Sequence, residues 1–159
     1  MFLRKPNRIK NFDYTYPNFY FVTICAKDRR EYFGEVLNHE MVLNAAGQTA
    51  QNFWQEMPKH YKNVKTDEFI VMPNHLHGII VLEMQANGLR YSLSQIVGSY
   101  KNIVSKILHA GGLEDFYWQA SFYDHVIRKE ESLDKIREYI KNNPRKWDLD
   151  RNNAGNVWM

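Results

Sequence analysis

The sequence predicts an α+β fold of the ferredoxin-like, split βαβ kind: an antiparallel sheet with helices mainly on one face, plus an appended C-terminal helix. Three observations lead there. Aromatic and β-branched runs alternate with runs whose apolar residues recur every three to four positions. These fall in the order strand, helix, strand, strand, helix, strand, and one more helical run follows. At 159 residues, 44% hydrophobic and 25% charged, the chain is long enough for one domain, 1–159, with a single core.

Residues 17–26 open with Pro17 and continue Asn-Phe-Tyr-Phe-Val-Thr-Ile-Cys-Ala, which reads as a buried strand. The charged stretch Lys27 to Glu31 ends it. Residues 32–43 read as a short hairpin reversing at Asn38-His39. Asn44 is a good N-cap for a helix that places Ala46, Ala50, Phe53, Trp54 and Met57 at helical spacing, with Pro58 as its expected stop before His60. Phe69, Val71 and His75 to Leu82 form two β-type segments joined tightly at Met72-Pro73-Asn74. Ser92 or Ser94 starts a second helix with Ile96, Tyr100, Ile103, Val104, Ile107 and Leu108 as its apolar stripe, closed by Gly111-Gly112. Residues 121–128 return to a strand pattern. Glu131 to Asn142 form the last helix, ended by Pro144 because the residue before a proline is pushed out of the helical region.

Several classes are excluded. No apolar run reaches the ~18 to 20 residues of a membrane helix, and no signal-peptide pattern opens the chain, so a cytoplasmic protein with no membrane partner is expected. The single cysteine, Cys25, can form neither an internal disulfide nor a cysteine-based zinc site. Net charge is +3, and it is unevenly placed. Residues 1–30 hold seven cations against two anions, a net +5, which leaves −2 for the rest. A basic arm (1–15) bearing Arg4, Lys5, Arg8 and Lys10, with aromatics interleaved, suits a phosphate backbone with stackable bases, and it suits a solvated arm equally.

The strongest local signal is Pro73-Asn74-His75-Leu76-His77-Gly78 at the start of a strand. Alternation puts His75 and His77 on one face and Leu76 on the other. Two imidazoles on one face can share a divalent ion, with Gly78 expected to leave room beside it for a ligand backbone. Alone, such a pair as readily caps a core edge, because it supplies too few ligands. In the last helix, Leu133, Ile136 and Ile140 form the core stripe, and Tyr139 lies at its flank. Asn143, one turn on, stacks over the same side. By itself Tyr139 reads as a boundary tyrosine with its ring packed and its hydroxyl wet.

Together these motifs carry a resemblance. Val71-Met72-Pro73-Asn74-His75-Leu76-His77-Gly78-Ile79-Ile80, Trp118-Gln119-Ala120-Ser121-Phe122-Tyr123-Asp124-His125-Val126-Ile127-Arg128, and Arg137-Glu138-Tyr139-Ile140-Lys141-Asn142-Asn143-Pro144 follow in order, and the chain over about residues 12–149 resembles the single-tyrosine HUH transposases. More closely, it resembles their chromosomal branch, the REP-associated tyrosine transposases.

The resemblance implies that His75 and His77 hold Mg²⁺ or Mn²⁺, with Asn143 as third ligand where mobile-element relatives carry glutamine, and that Tyr139 is the nucleophile. It implies metal-dependent cleavage and rejoining of single-stranded or hairpin DNA through a 5′-phosphotyrosine, by a monomer or homodimer. DNA would be held by Arg4, Lys5, Arg8, Lys10, by Lys101 and Lys106 on the second helix, and by Arg145 and Lys146 at the start of the C-terminal tail (145–159). His125 and Arg128 read better as a hydrogen-bond network supporting the last helix. Two other readings stay open: a non-catalytic nucleic-acid-binding module with an RNA-recognition-like sheet, and a metal-dependent hydrolase that uses water.

Overall fold

The structure is a computed structural model that describes residues 18–84 and 91–149. The basic arm with Arg4, Lys5, Arg8 and Lys10, and the tail beyond 149, lie outside the described residues.

The central element is β1 (Asn18–Cys25), hydrogen-bonded on both sides. A hairpin of β2 (Gly34–Leu37) and β3 (Glu40–Leu43) follows, reversing at Asn38 and His39 with φ of 51° and 65°. Two consecutive left-handed residues make the turn whose twist matches the flanking strands. Helix α1 (Ala45–His60) is capped by the Asn44 side chain, which accepts from the Gly47 N–H at 2.9 Å. The helix runs through Pro58 instead of stopping there. In the last turn a missing N–H forfeits only one helical bond, and the Tyr61 N–H closes the helix on the Met57 carbonyl at 3.3 Å.

Strands β4 (Val64–Met72) and β5 (His75–Leu82) pair antiparallel across the expected tight turn. Helix α2 (Leu93–Ala110) begins with a capping box between Ser92 and Gln95. Strand β6 (Tyr123–Ile127) and helix α3 (Glu130–Lys141) complete the order, and a short 3-10 turn covers Pro144–Leu149.

The sheet order is β4-β5-β1-β6. Since β5 is antiparallel to both β1 and β4, those two run parallel with β5 inserted between them, which is the split βαβ arrangement. One face takes α1 and α2. There Tyr20, Val22, Ile24, Leu76, Ile80 and Val126 meet Ala50, Trp54, Ile96, Tyr100 and Val104 in the main core. The other face takes α3, whose Leu133 and Ile140 pack with Ile79 and Ile127 and against Phe19, Phe21, Ile70 and Val81. Among the described residues, no helix is long and apolar enough to cross a membrane.

The α2 stripe differs from expectation. Its buried positions are Leu93, Ile96, Val97, Tyr100, Val104 and Leu108. Ile103 and Ile107 are exposed, because each lies one residue, about 100°, from the buried Val104 and Leu108.

Gly78 corrects a second expectation. It follows Leu76 on the α1 side of β5, and a Cβ built there would collide with the Trp54 indole. Its missing side chain makes room for the fully buried Trp54 and not for a ligand beside the histidines.

Candidate active site

Alternation along β5 turns His75 and His77 toward the α3 face and Leu76 toward the main core. β5 is an inner strand, and the register sets Cys25 and Met72 beside His75 and Thr23 and Ile70 beside His77. Both histidines are buried, at 0% and 3% exposure. Their Nε2 atoms lie 3.1 Å apart.

Each ring is held at its far nitrogen and along its face. His75 Nδ1 lies 2.8 Å from Asn74 Oδ1, and His77 Nδ1 lies 2.8 Å from Thr23 Oγ1. Phe21 stacks on His77 with centroids 5.4 Å apart, and Trp147 stacks on His75 at 6.1 Å. Burial pushes the His75 pKa down to about 3, so at neutral pH this imidazole is uncharged and has a lone pair to give.

Helix α3 brings in the phenol. Its apolar stripe seats on the sheet, and a bidentate ion pair fixes its pitch: Arg137 donates to both Asp67 oxygens on β4, at 2.8 and 2.7 Å. The guanidinium holds the Asp67 carboxyl below its usual range. Tyr139, at 45% exposure, sits at the flank of the stripe as the wheel predicts. Its ring centroid is 5.5 Å from that of His77 and 6.1 Å from that of Phe21.

Asn143, 2% exposed, donates from Nδ2 to the Tyr139 carbonyl at 3.3 Å. Its Oδ1 is buried with no hydrogen-bond partner among the described residues. Such an orphaned acceptor costs on the order of 1–3 kcal/mol unless something satisfies it. It begins the turn that carries Trp147 onto His75.

The proposed DNA-contacting residues divide. Arg145 and Lys146 are exposed in the turn after Asn143. Arg145 lines a groove of about 780 Å³ with Asn38, His39, Phe69, Ile70 and Lys141. His75 and His77 do not line it; Ile70, which does, is the cross-strand neighbour of His77. Lys101 and Lys106 lie on α2, in the helix layer on the opposite face of the sheet. The Lys101 ammonium donates to the Gln119 and Ser121 carbonyls at 2.9 and 2.8 Å, tying that loop to α2. Nor do His125 and Arg128 form the expected network: both are exposed and neither side chain makes a hydrogen bond among the described residues. The reason is the register, which sets His125 beside Phe21 on the edge strand β6, on the histidine face and outside the packed part of α3.

Sequence reasoning gave no role to Thr23, Asn74, Phe21 or Trp147. For Asn74 a signal was present in its place before His75. The other three act through register or tertiary packing, which a single sequence does not display.

Comparisons with known proteins bear on the family and the fold. The family described as "Transposase IS200 like" matches residues 15–143. An uncharacterized protein of Haemophilus influenzae is 33% identical over 165 residues, covering 93% of this chain and 92% of that one. Among solved structures, a REP-associated tyrosine transposase bound to a REP hairpin is similar over 91% of this chain and 76% of its own, with a TM-score of 0.59 and 21% identity. A Deinococcus radiodurans protein described as a transposase is similar over 85% of this chain and 97% of its own, with a TM-score of 0.53 and 15% identity. The matched span runs from just before β1 to Asn143 and so includes both histidines, the tyrosine and every strand of the sheet: the chain belongs to the IS200-like transposase family.

Proposed function

We propose that this protein is a single-tyrosine DNA strand transferase of the REP-associated kind, acting on single-stranded or hairpin DNA. The observation that carries the reading is the convergence of the Tyr139 ring on a pair of buried imidazoles whose Nε2 atoms are 3.1 Å apart. The solved relative bound to a REP hairpin supports the substrate class.

The residues suit a divalent cation. Two nitrogens at about 2.1 Å from one ion in adjacent octahedral positions are about 3.0 Å apart. His75 and His77 would hold the ion, and the orphaned Oδ1 supports Asn143 as the third ligand. Two imidazoles and an amide oxygen are a softer set than carboxylates and favour Mn²⁺ over Mg²⁺. When bound, the ion supplies Lewis-acid neutralisation of a phosphodiester.

The chain's own residues would do the rest. The Tyr139 oxygen attacks the phosphorus, the new P–O bond replaces the bond to the 3′ oxygen, the phenolic proton leaves to solvent or base, and the departing 3′ oxygen takes up a proton from solvent. This gives a 5′-phosphotyrosine and a free 3′ hydroxyl, and reversal of the step rejoins a strand. Arg145 and Lys146 would engage backbone phosphates beside the site. Because the phenol meets its own chain's His77, one chain suffices for a complete site.

The RNA-recognition-like alternative has less support, since α3 occupies the sheet face which that mode leaves open. The test is incubation with a hairpin oligonucleotide and Mn²⁺. A denaturation-resistant protein–DNA adduct is expected, lost in Tyr139→Phe with DNA binding kept, and lost in His75→Ala. An adduct surviving in Tyr139→Phe refutes the nucleophile, and cleaved DNA with no adduct favours hydrolysis by water.

A further inference from the structure

The pairing of β4 with β5 is interrupted between Thr66 and Phe69. Thr66 pairs with Ile80 and Phe69 with Gly78, so Asp67 and Glu68 together stand opposite the single residue Ile79. This is a β-bulge, two residues against one. Ile80 and Phe69 belong to the main core and Ile79 to the α3 side. A regular strand would turn one side chain toward α3 between Thr66 and Phe69; the bulge supplies two carboxylates.

Both carboxylates meet α3. Asp67 accepts from Arg137 Nε and Nη2 at 2.8 and 2.7 Å, and its Oδ1 also accepts the Glu68 N–H at 2.7 Å, so the bulge backbone aims the acceptor. Asp134 accepts from Arg137 Nη1 at 3.1 Å. Each of the three guanidinium nitrogens thus has a carboxylate partner. The Glu68 carboxylate lies 3.8 Å from the Lys141 ammonium.

Arg137 and Tyr139 lie on opposite flanks of the helix. Relative to Ile140, helical advance puts Arg137 about 60° and Lys141 about 100° to one side, and Tyr139 about 100° to the other. The sheet order β4-β5-β1 matches this: the cations reach the β4 edge, while the Tyr139 ring meets His77 on β5 and Phe21 on β1. Between the flanks, Leu133, Ile136 and Ile140 make aliphatic contacts, which are non-directional and tolerate a roll of the helix about its axis. A forked guanidinium–carboxylate pair does not, because two parallel hydrogen bonds fix an angle as well as a distance. At a side-chain radius of ~5 to 6 Å, a roll of about 20° carries a flanking group about 2 Å.

We infer that the Asp67–Glu68 bulge is a roll lock for α3, in which Asp67 and Arg137 are positioning residues that hold the Tyr139 phenol beside His77. The Glu68–Lys141 pair is longer and more exposed, and contributes less. The consequence for strand transfer rests on the proposed function; the placement of the ring does not.

The test uses Asp67→Asn, which keeps the side-chain shape and removes the charge, and Arg137→Lys, which keeps the charge and removes the fork. Nuclear Overhauser contacts between the Tyr139 and His77 ring protons of the DNA-free protein read the placement. They should be present in wild type and weakened in both variants. With a hairpin oligonucleotide and Mn²⁺, the single-turnover rate of adduct formation at saturating DNA should fall about 10- to 100-fold in each variant, since a misplacement of about 1 Å costs as much as ~100-fold. Hairpin affinity should stay within about twofold, and Asp67→Asn removes a negative charge, so its slower rate cannot come from weaker phosphate attraction. The double variant should be no slower than the slower single one, because both break the same lock. Ring contacts undiminished in both variants, or rate losses that multiply in the double variant, overturn the lock. Weakened contacts with a full adduct rate overturn its part in strand transfer. A wild-type protein that forms no adduct refutes the strand-transfer reading, and the ring contacts then decide the lock alone.

Discussion

The rings of Tyr139 and His77 meet edge-on within one chain, their centroids 5.5 Å apart and their planes at 61°. The contact depends on α3 seating on its own sheet through Leu133 and Ile140 and on the Arg137–Asp67 pair. The Tyr139 phenol and the two imidazoles thus sit together within one chain, and the proposed function then predicts the outcome of mixing experiments.

Tyr139→Phe and His77→Ala, each expected to form no adduct, should not complement one another when mixed. Each site would be missing one component that its neighbour cannot lend while α3 stays docked. Adduct formation on labelled hairpin DNA is the measurement. Recovery of adduct well above either variant alone would mean that α3 crosses between two copies.

Gly78→Ala should destabilise the fold by about 1–3 kcal/mol through overpacking, because the added methyl meets the Trp54 indole. Trp54→Phe vacates part of that space at its own cost, so the double variant should be more stable than the sum of the two single losses predicts. Thermal unfolding of the four proteins reads the coupling. Strict additivity would mean that the backbone, and not the indole, absorbs the methyl.

How much of this was legible beforehand follows from the range over which each feature is encoded. The histidines share a face because side chains alternate on a strand, and Tyr139 flanks its stripe because helical residues advance by ~100°. Both are local rules, and the structure follows them. Gly78 was misread because its reason is Trp54, 24 positions earlier on α1, and nothing local announces that collision. Ile103 and Ile107 were misread because their spacing matches the stripe while their phase does not. Thr23 reaches His77 only through the β1–β5 register. Lys101 looked like any helix cation until the backbone of 119–121 closed over its ammonium.

That last contrast predicts different salt behaviour for two cations. Arg145 is exposed beside the groove at Ile70, and its replacement by alanine should weaken single-stranded DNA binding and reduce the slope of log affinity against log salt by about 0.7. Lys101→Met removes an ammonium already committed to two carbonyls. It should lower thermal stability and leave the slope unchanged. A slope change in Lys101→Met comparable to that in Arg145→Ala would place DNA on the α2 side of the sheet.

The buried His75 predicts a distinct acid sensitivity. Its pKa falls from an ordinary 6.5 in the unfolded chain to about 3 in the fold, so between those values the unfolded state binds a proton that the folded state refuses. Stability contributed by the neutral ring is therefore complete above about pH 6.5 and is lost progressively as pH falls toward 3, by at most about 1.4 kcal/mol per pH unit. Asp67, held below the usual carboxylate range by Arg137, gives its stability above that range and loses it only in stronger acid, so it adds little near pH 5.5. Chemical denaturation of metal-free protein at pH 7.5 and 5.5 should show a drop that shrinks in His75→Gln, whose side chain does not titrate. An undiminished drop in that variant would assign the acid sensitivity to another group.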